Sequence, residues 1–209
     1  MNIIITGLIT GSMLALLSIG FSLIFGVARI VNIAHTAFYM VAGYFIYVLS
    51  VKLNLHPVLG MLISVVAVTI IGLLVYQFLI DPIREHDAAV LIATIAIAMI
   101  FQETIMLIFT GDYLSVSSLI EGYGIIFGVK IFYQQVLSFV VALIILLFLW
   151  LLLMKTRLGL AIRSTAEDRE VANLMGMNDS RLAMITMGIS VALAGFTGAV
   201  IAPLMVLSP

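Results

Sequence analysis

Charge is confined to a few places along this chain. Residues 1–28, 30–51, 53–80, 131–154 and 182–209 contain no Asp, Glu, Lys or Arg, whereas the 27 residues from 155 to 181 hold nine of them. A water-soluble fold distributes charge over its surface. Apolar walls of this length can face only hydrocarbon, so the pattern specifies a polytopic membrane protein. Composition agrees: 64% of the residues are apolar and 9% charged, against roughly 45–50% and 25% in soluble domains. A formal net charge of -1 offers no electrostatic footprint for nucleic acid. The absence of cysteine excludes disulfides and thiolate metal sites. The N-terminal run lacks a basic leader and a small-residue cleavage site, so it is expected to remain as a helix.

Six apolar segments are expected to span the bilayer, at about 4–27, 33–51, 57–80, 88–109, 136–154 and 182–207. Lipid offers no partner to a backbone amide, so each should be helical, and roughly 20 residues suffice to cross. The expected fold is all-α: one transmembrane helical bundle over 1–209. Pro57 suits the first turn of the third span, and Pro203 should bend or end the sixth. The connection 110–134 carries Gly122, Gly124 and Gly128. Within it, 125–131 reads as either a short strand or an interfacial segment.

Positive residues set the orientation. With 155–181 inside, Arg29, Arg84, Lys155, Arg157, Arg163, Arg169 and Arg181 fall on the cytoplasmic side, leaving Lys52 and Lys130 outside. That asymmetry predicts a periplasmic N-terminus.

The charged 155–181 loop carries helix signals of its own. Ser164-Thr165-Ala166-Glu167 fits a capping box, with Thr165 and Asp168 as a weaker alternative. Glu167, Asp168 and Glu170 suit a first turn, where the helix dipole is positive. Val171, Leu174 and Met175 share one face, and Gly176 stands where a C-terminal cap would. Asn178 or Ser180 can cap the following span. The expectation is a short amphipathic helix on the cytoplasmic side, lying either in the headgroup plane or in the groove of a partner.

The same residues carry a resemblance. Glu170-Val171-Ala172-Asn173-Leu174-Met175-Gly176 resembles the Glu-Ala-Ala-x-x-x-Gly loop of ABC importer permeases, with Val171 at the usual second-position alanine. The longer string from Thr156 to Glu170 is similar to the branched-chain amino acid permeases, the H-type subunit of the leucine/isoleucine/valine importer. So are Gly11-Ser12-Met13-Leu14-Ala15-Leu16, Ile30-Val31-Asn32-Ile33-Ala34-His35 and Ala194-Gly195-Phe196-Thr197-Gly198-Ala199 before Ala202-Pro203. This resemblance implies a permease subunit of an ATP-driven importer. It implies two ABC ATPase subunits, a second homologous permease subunit and a periplasmic amino-acid-binding protein as partners, in the inner membrane. ATP and magnesium would belong to the ATPases, leaving this chain with no catalytic residue and no cofactor. Consistently, no Gly-rich phosphate loop is present in the sequence. The coupling element would comprise Glu167, Asp168, Glu170, Val171, Leu174, Met175 and Gly176. The family continues beyond the Ala202-Pro203 segment, which implies that this chain is C-terminally truncated. Another amino acid, a short amide or urea remains open as cargo, as does a secondary transporter or channel.

Inside the membrane, Arg29, Asn32 and His35 interrupt an apolar region. They either line a substrate path, as discontinuous helices do, or form an ordinary cytoplasmic turn. Ser12, Asn32, His35, Thr36 and Tyr39 are the candidate path residues, with Ser18 and Tyr44 as further contributors. His35, with no clustered ligands, is not a metal site. Gly7 and Gly11, and Gly195 and Gly198 with Ala194 and Ala202, are expected to let helices approach closely. Glu103, late in the fourth span, is either a functional carboxylate sharing a polar patch with Gln102 and Thr104 or an outer-interface residue reaching the headgroups, and Tyr113, Tyr123, Tyr133 and Trp150 are expected among the interfacial anchors or packing groups.

Overall fold

The computed structural model describes residues 2–110, 114–116, 120, 122–126, 129–205 and 207. Gly128 and Tyr113 lie outside the described residues. Eight helices and one hairpin follow in order: α1 (Asn2–Ala28), α2 (His35–Tyr47), α3 (Pro57–Val75), α4 (Asp87–Phe109), β1 (Tyr123–Ile126), β2 (Val129–Phe132), α5 (Tyr133–Lys155), α6 (Arg157–Glu167), α7 (Arg169–Leu174) and α8 (Asp179–Ile201). The fold is an all-α membrane bundle.

Among the described residues, five helices are long and apolar enough to cross a membrane: α1, α3, α4, α5 and α8. Six spans were expected. The difference is α2, whose 13 residues reach only about 20 Å at 1.5 Å per residue, short of a hydrocarbon core of roughly 30 Å. A π-helical turn at Val48–Lys52 prolongs it, and a second, at Tyr76–Ile80, prolongs α3. Pro57 occupies the first turn of α3 as expected. Helix α8 stops at Ile201 rather than at 207. Pro203 is the reason, since it lacks an N–H and its ring would collide with the carbonyl four residues back.

Helix α8 is the centre of the bundle. In its most apolar stretch 67% of the residues are buried, against 17% in α4 and α5, and it packs along α1, α2 and α3. Small residues make this possible. Gly195 faces the backbone of Val65, with the position a Cβ would take 3.5 Å from Val65 Cα, and Gly198 lies against the carbonyl of Tyr39 and the methyl of Ala42. In lipid, such close approach is the main source of helix association, because hydrocarbon is as apolar as leucine. Phe38 and Val41 of α2, Val68 of α3, and Met187 and Val191 of α8 fill the resulting core. Gly7 and Gly11 behave differently: nothing lies within 4 Å of where their Cβ atoms would stand. Within the described residues of this chain their face of α1 packs against nothing. Leu62, Val66 and Ile70 on α3, Ile92 and Leu107 on α4, and Ile144 and Phe148 on α5 are exposed, as residues bathed in lipid should be.

Of the two alternatives for the 125–131 region, strand is found, with 125–126 in β1 and 129–131 in β2. It contributes to an antiparallel hairpin with Tyr123 opposite Phe132 and Gly124 opposite Ile131.

The 155–181 loop holds two helices where one was expected. The cap of the first is Thr156, whose Oγ1 accepts from the Gly159 amide at 3.0 Å while donating to the Leu152 carbonyl at 2.6 Å. Gly159 sits against the carbonyls of Leu152 and Leu153, where a Cβ would collide, so the sharp α5–α6 corner requires glycine. Ser164 and Thr165 therefore lie inside α6 and do not begin a helix, and Glu167 ends α6 rather than opening the next element. The capping box fails because Thr156 starts the helix earlier. Ile162 of α6 then packs with Val27 and Leu182, under the ends of α1 and α8. Asp168 breaks the chain into an extended conformation and caps α7, its Oδ1 accepting from the amides of Glu170 (3.0 Å) and Val171 (3.1 Å).

Candidate functional site

Two groups of polar and small residues stand apart: an exposed cap around α7, and the polar break between α1 and α2.

Helix α7 is one turn and a half anchored by a single buried side chain, Ala172. Its C-terminus closes on Gly176, whose φ of +85° places it in the left-handed region that glycine enters without a Cβ penalty. The Gly176 amide donates to the Asn173 carbonyl (2.9 Å) and the Met177 amide to the Ala172 carbonyl (3.1 Å), satisfying the end of the helix. Asn178 then caps α8, accepting from the Arg181 amide at 3.0 Å. Val171 and Leu174 of α7, and Met175 just after it, point away from the bundle: Val171 is 48% exposed, Leu174 86% and Met175 77%. Glu167, Asp168 and Glu170 are exposed around them. The seven residues from the sequence reading thus run from the last residue of α6 through α7 to its C-terminal turn, acids first and the exposed apolar side chains after them.

The break between α1 and α2 divides its polar residues. Arg29 ends α1 in a left-handed conformation (φ 56°) and is exposed, whereas Asn32 and His35 are buried. His35 bridges two helices. Its Nε2 lies 3.0 Å from the Leu17 carbonyl of α1 and its Nδ1 3.2 Å from Ser190 Oγ of α8. Among the described residues, Asn32 Nδ2 reaches only the sulfur of Met187, at 3.5 Å, and its Oδ1 has no hydrogen-bond partner. Ser12 and Thr36 bond back to carbonyls of their own segments, Ile9 at 2.7 Å and Ile33 at 3.1 Å. Tyr39, together with Tyr44 and Gly198, lines a cavity of about 280 Å³ between α2 and the end of α8. The five candidate path residues therefore do not converge on one cavity. His35 ties α1 to α8, Tyr39 borders the cavity, and Thr36 is exposed at the surface. Glu103 is exposed on α4, six residues before its end.

One constellation escaped the sequence reading. Asp179, at the start of α8, receives Arg84 Nη1 at 3.2 Å and Arg169 Nη2 on the same carboxylate oxygen. Arg84 also meets Asp81 at 3.5 Å, and Ser180 Oγ donates to Asp81 at 3.4 Å. Asp81 and Arg84 are three residues apart and visible as a pair, but no periodicity relates them to Arg169 or Asp179. Among the described residues, no group of three or more His, Asp and Glu is placed to hold a metal ion.

A family model described as the permease component of branched-chain amino acid transport systems matches residues 3–209. The high-affinity branched-chain amino acid transport system permease protein BraD of Pseudomonas aeruginosa is 30% identical over 206 residues, covering 91% of this chain and 67% of that protein. The corresponding permease LivH of Escherichia coli K12 is 25% identical, over 92% of this chain and 67% of its own length. A probable LivH permease of Methanocaldococcus jannaschii is 29% identical, over 91% and 62%. No solved structure matches the chain.

Proposed function

The chain belongs to the family of permease components of branched-chain amino acid transport systems, and from that membership we propose that it forms the membrane pathway of an ATP-driven importer for leucine, isoleucine and valine. It is a transport subunit and not an enzyme. In this reading α7 is the coupling helix, seated in a groove of a cytoplasmic ATPase. A second, homologous permease subunit completes the pathway, and a periplasmic binding protein delivers the amino acid. ATP-driven closure of the two ATPases pushes α7, and the spans reorient so that the site opens inward.

The observation that carries this is the exposed apolar knob of Val171, Leu174 and Met175 in the most ionic segment of the chain. Apolar side chains gathered at a wet, charged surface mark a site where a partner excludes water. The charged residues around it supply encounter and register. Arg84 and Arg169, assigned to the cytoplasm by charge, meet at one end of the bundle through Asp179. Lys52, assigned outside, lies 5.2 Å from the ring of Phe109, the last residue of α4, whose first residue follows Arg84 and His86. This favours a periplasmic N-terminus and α2, prolonged by its π turn, as a sixth crossing.

The test is reconstitution with the cognate ATPases, second permease and binding protein in liposomes. ATP-dependent uptake of leucine, isoleucine and valine is expected. Uptake of a short amide or urea with none of leucine would reject the cargo, and uptake without any ATPase would reject the class.

A further inference from the structure

All three ion pairs found among the described residues belong to one cluster, and that cluster joins three separate elements. Arg169 is the first residue of α7, Asp179 the first of α8, and Asp81 and Arg84 occupy the turn between α3 and α4. The four charges alternate in sign, Arg169–Asp179–Arg84–Asp81, and sum to zero. Tyr76 OH and Ser180 Oγ both reach Asp81 Oδ1, at 3.5 and 3.4 Å, so the Asp81 end of the series is also hydrogen-bonded to the extension of α3 and to α8.

The burial is graded. The Asp179 side chain is 7% exposed, Arg84 24% and Arg169 36%. A carboxylate this enclosed depends on its partners, because removing them leaves an unpaired charge away from water. The guanidinium of Arg169 is the member closest to solvent, so its half of the pairing is the more weakly held. Arg84–Asp179 thus fixes α8 to the α3–α4 turn, and Arg169–Asp179 attaches α7 to that unit. Apart from its neighbour α6 and the backbone bond from Met177, α7 has little else to hold it, since only Ala172 is buried.

We propose that Asp179 is the positioning residue that transmits displacement of α7 to α8 and to the α3–α4 turn together. This rests on the reading of α7 as the element that meets the ATPase. Without the shared carboxylate, a push on α7 would bend the 168–178 segment locally. With it, the push reaches the central helix, which packs on α1, α2 and α3, and the start of α4 at the same time.

The experiment uses the complete importer in liposomes, with Arg169→Gln and Asp179→Asn, and reads ATP hydrolysed per amino acid taken up. Both variants are expected to raise that ratio at least about fivefold, the low end of ordinary coupling free energies. KM for the loaded binding protein should not change. Arg169→Lys, which keeps one charge opposite Asp179, should restore the native ratio. A ratio unchanged in Arg169→Gln overturns the proposal. A second readout does not depend on transport: nitroxide labels at the exposed positions Asn173 and Glu85, measured by pulsed electron resonance in the same complex. One narrow distance is expected in the native protein and a broadened one in Asp179→Asn and Arg169→Gln; identical distributions overturn the proposal. If the native importer hydrolyses ATP yet moves no branched-chain amino acid, the cargo reading falls, and the label distances still decide the role of Asp179.

Discussion

His35 Nε2 lies 3.0 Å from the carbonyl of Leu17. A carbonyl only accepts, so Nε2 carries the proton in this bond and Nδ1 is left to Ser190, 3.2 Å away on α8. One imidazole thereby pins α1 to the central helix. In a bundle surrounded by hydrocarbon, where no water competes, polar bridges of this kind define which helix faces meet.

The same geometry separates a packing role for His35 from a role in the path. His35→Phe keeps a ring of similar volume and deletes both hydrogen bonds, leaving the Ser190 hydroxyl buried without its partner. A loss of about 1–3 kcal/mol is expected, read as a lower thermal midpoint of the detergent-solubilised protein, with KM for uptake unchanged in the molecules that assemble. A shifted KM at an unchanged midpoint would return His35 to the translocation path.

The glycines divide into two kinds, and paired substitutions distinguish them. Gly198→Ala drives a methyl into the Tyr39 carbonyl and toward Ala42, an overpacking that typically costs about 1–3 kcal/mol. Gly7→Ala and Gly11→Ala enter open space and should hold or raise helix stability, since alanine is the better helix former by roughly 1 kcal/mol. Thermal unfolding of the three variants in one detergent is the measurement. Equal losses at Gly198 and Gly7 would contradict the packing described for α8.

Gly176→Pro is expected to uncouple the machine. Proline fixes φ near -65°, whereas Gly176 has φ +85° and donates its amide to Asn173. The turn that closes α7 is lost while the spans remain intact. ATP hydrolysis by the assembled complex should persist while amino acid uptake falls by about tenfold or more, equivalent to ~1.4 kcal/mol of lost coupling. Native uptake in this variant would show that the shape of the α7 terminus is irrelevant.

Leu174→Asp tests the apolar knob itself. The side chain is 86% exposed, so the fold should tolerate the charge. The ATPase interface should not, because a central apolar anchor commonly contributes about 2 kcal/mol or more. Co-purification of the ATPase subunits is expected to drop while expression and thermal midpoint of the permease hold. Retention of the ATPases at native stoichiometry would rule out docking at α7.

Several features are legible in the amino-acid order alone. The uncharged stretches announced the spans, Pro57 and Pro203 marked a start and a stop, and Gly176 was visible as a C-terminal cap. The loop helices were half legible. Thr156 begins α6 by capping Gly159, but Ser164 offered an equally good local signal eight residues later. Only the packing of Ile162 against Val27 and Leu182 decides between them. The polar break was legible only as a run of residues. Arg29, Asn32 and His35 are near in sequence, yet the left-handed turn at Arg29 sends the first to the surface and the other two into the bundle.

Transfer from water to hydrocarbon is paid residue by residue, so membrane residence, the rough limits of the spans and the ionic end between 155 and 181 were properties of the amino-acid order alone. Contacts between spans depend on the rotation and depth of each helix relative to its neighbours. That is why the tertiary structure was needed to make α8 the central helix, to leave Gly7 and Gly11 facing open space while Gly198 meets Tyr39, and to bring Arg84 and Arg169 onto the single carboxylate of Asp179.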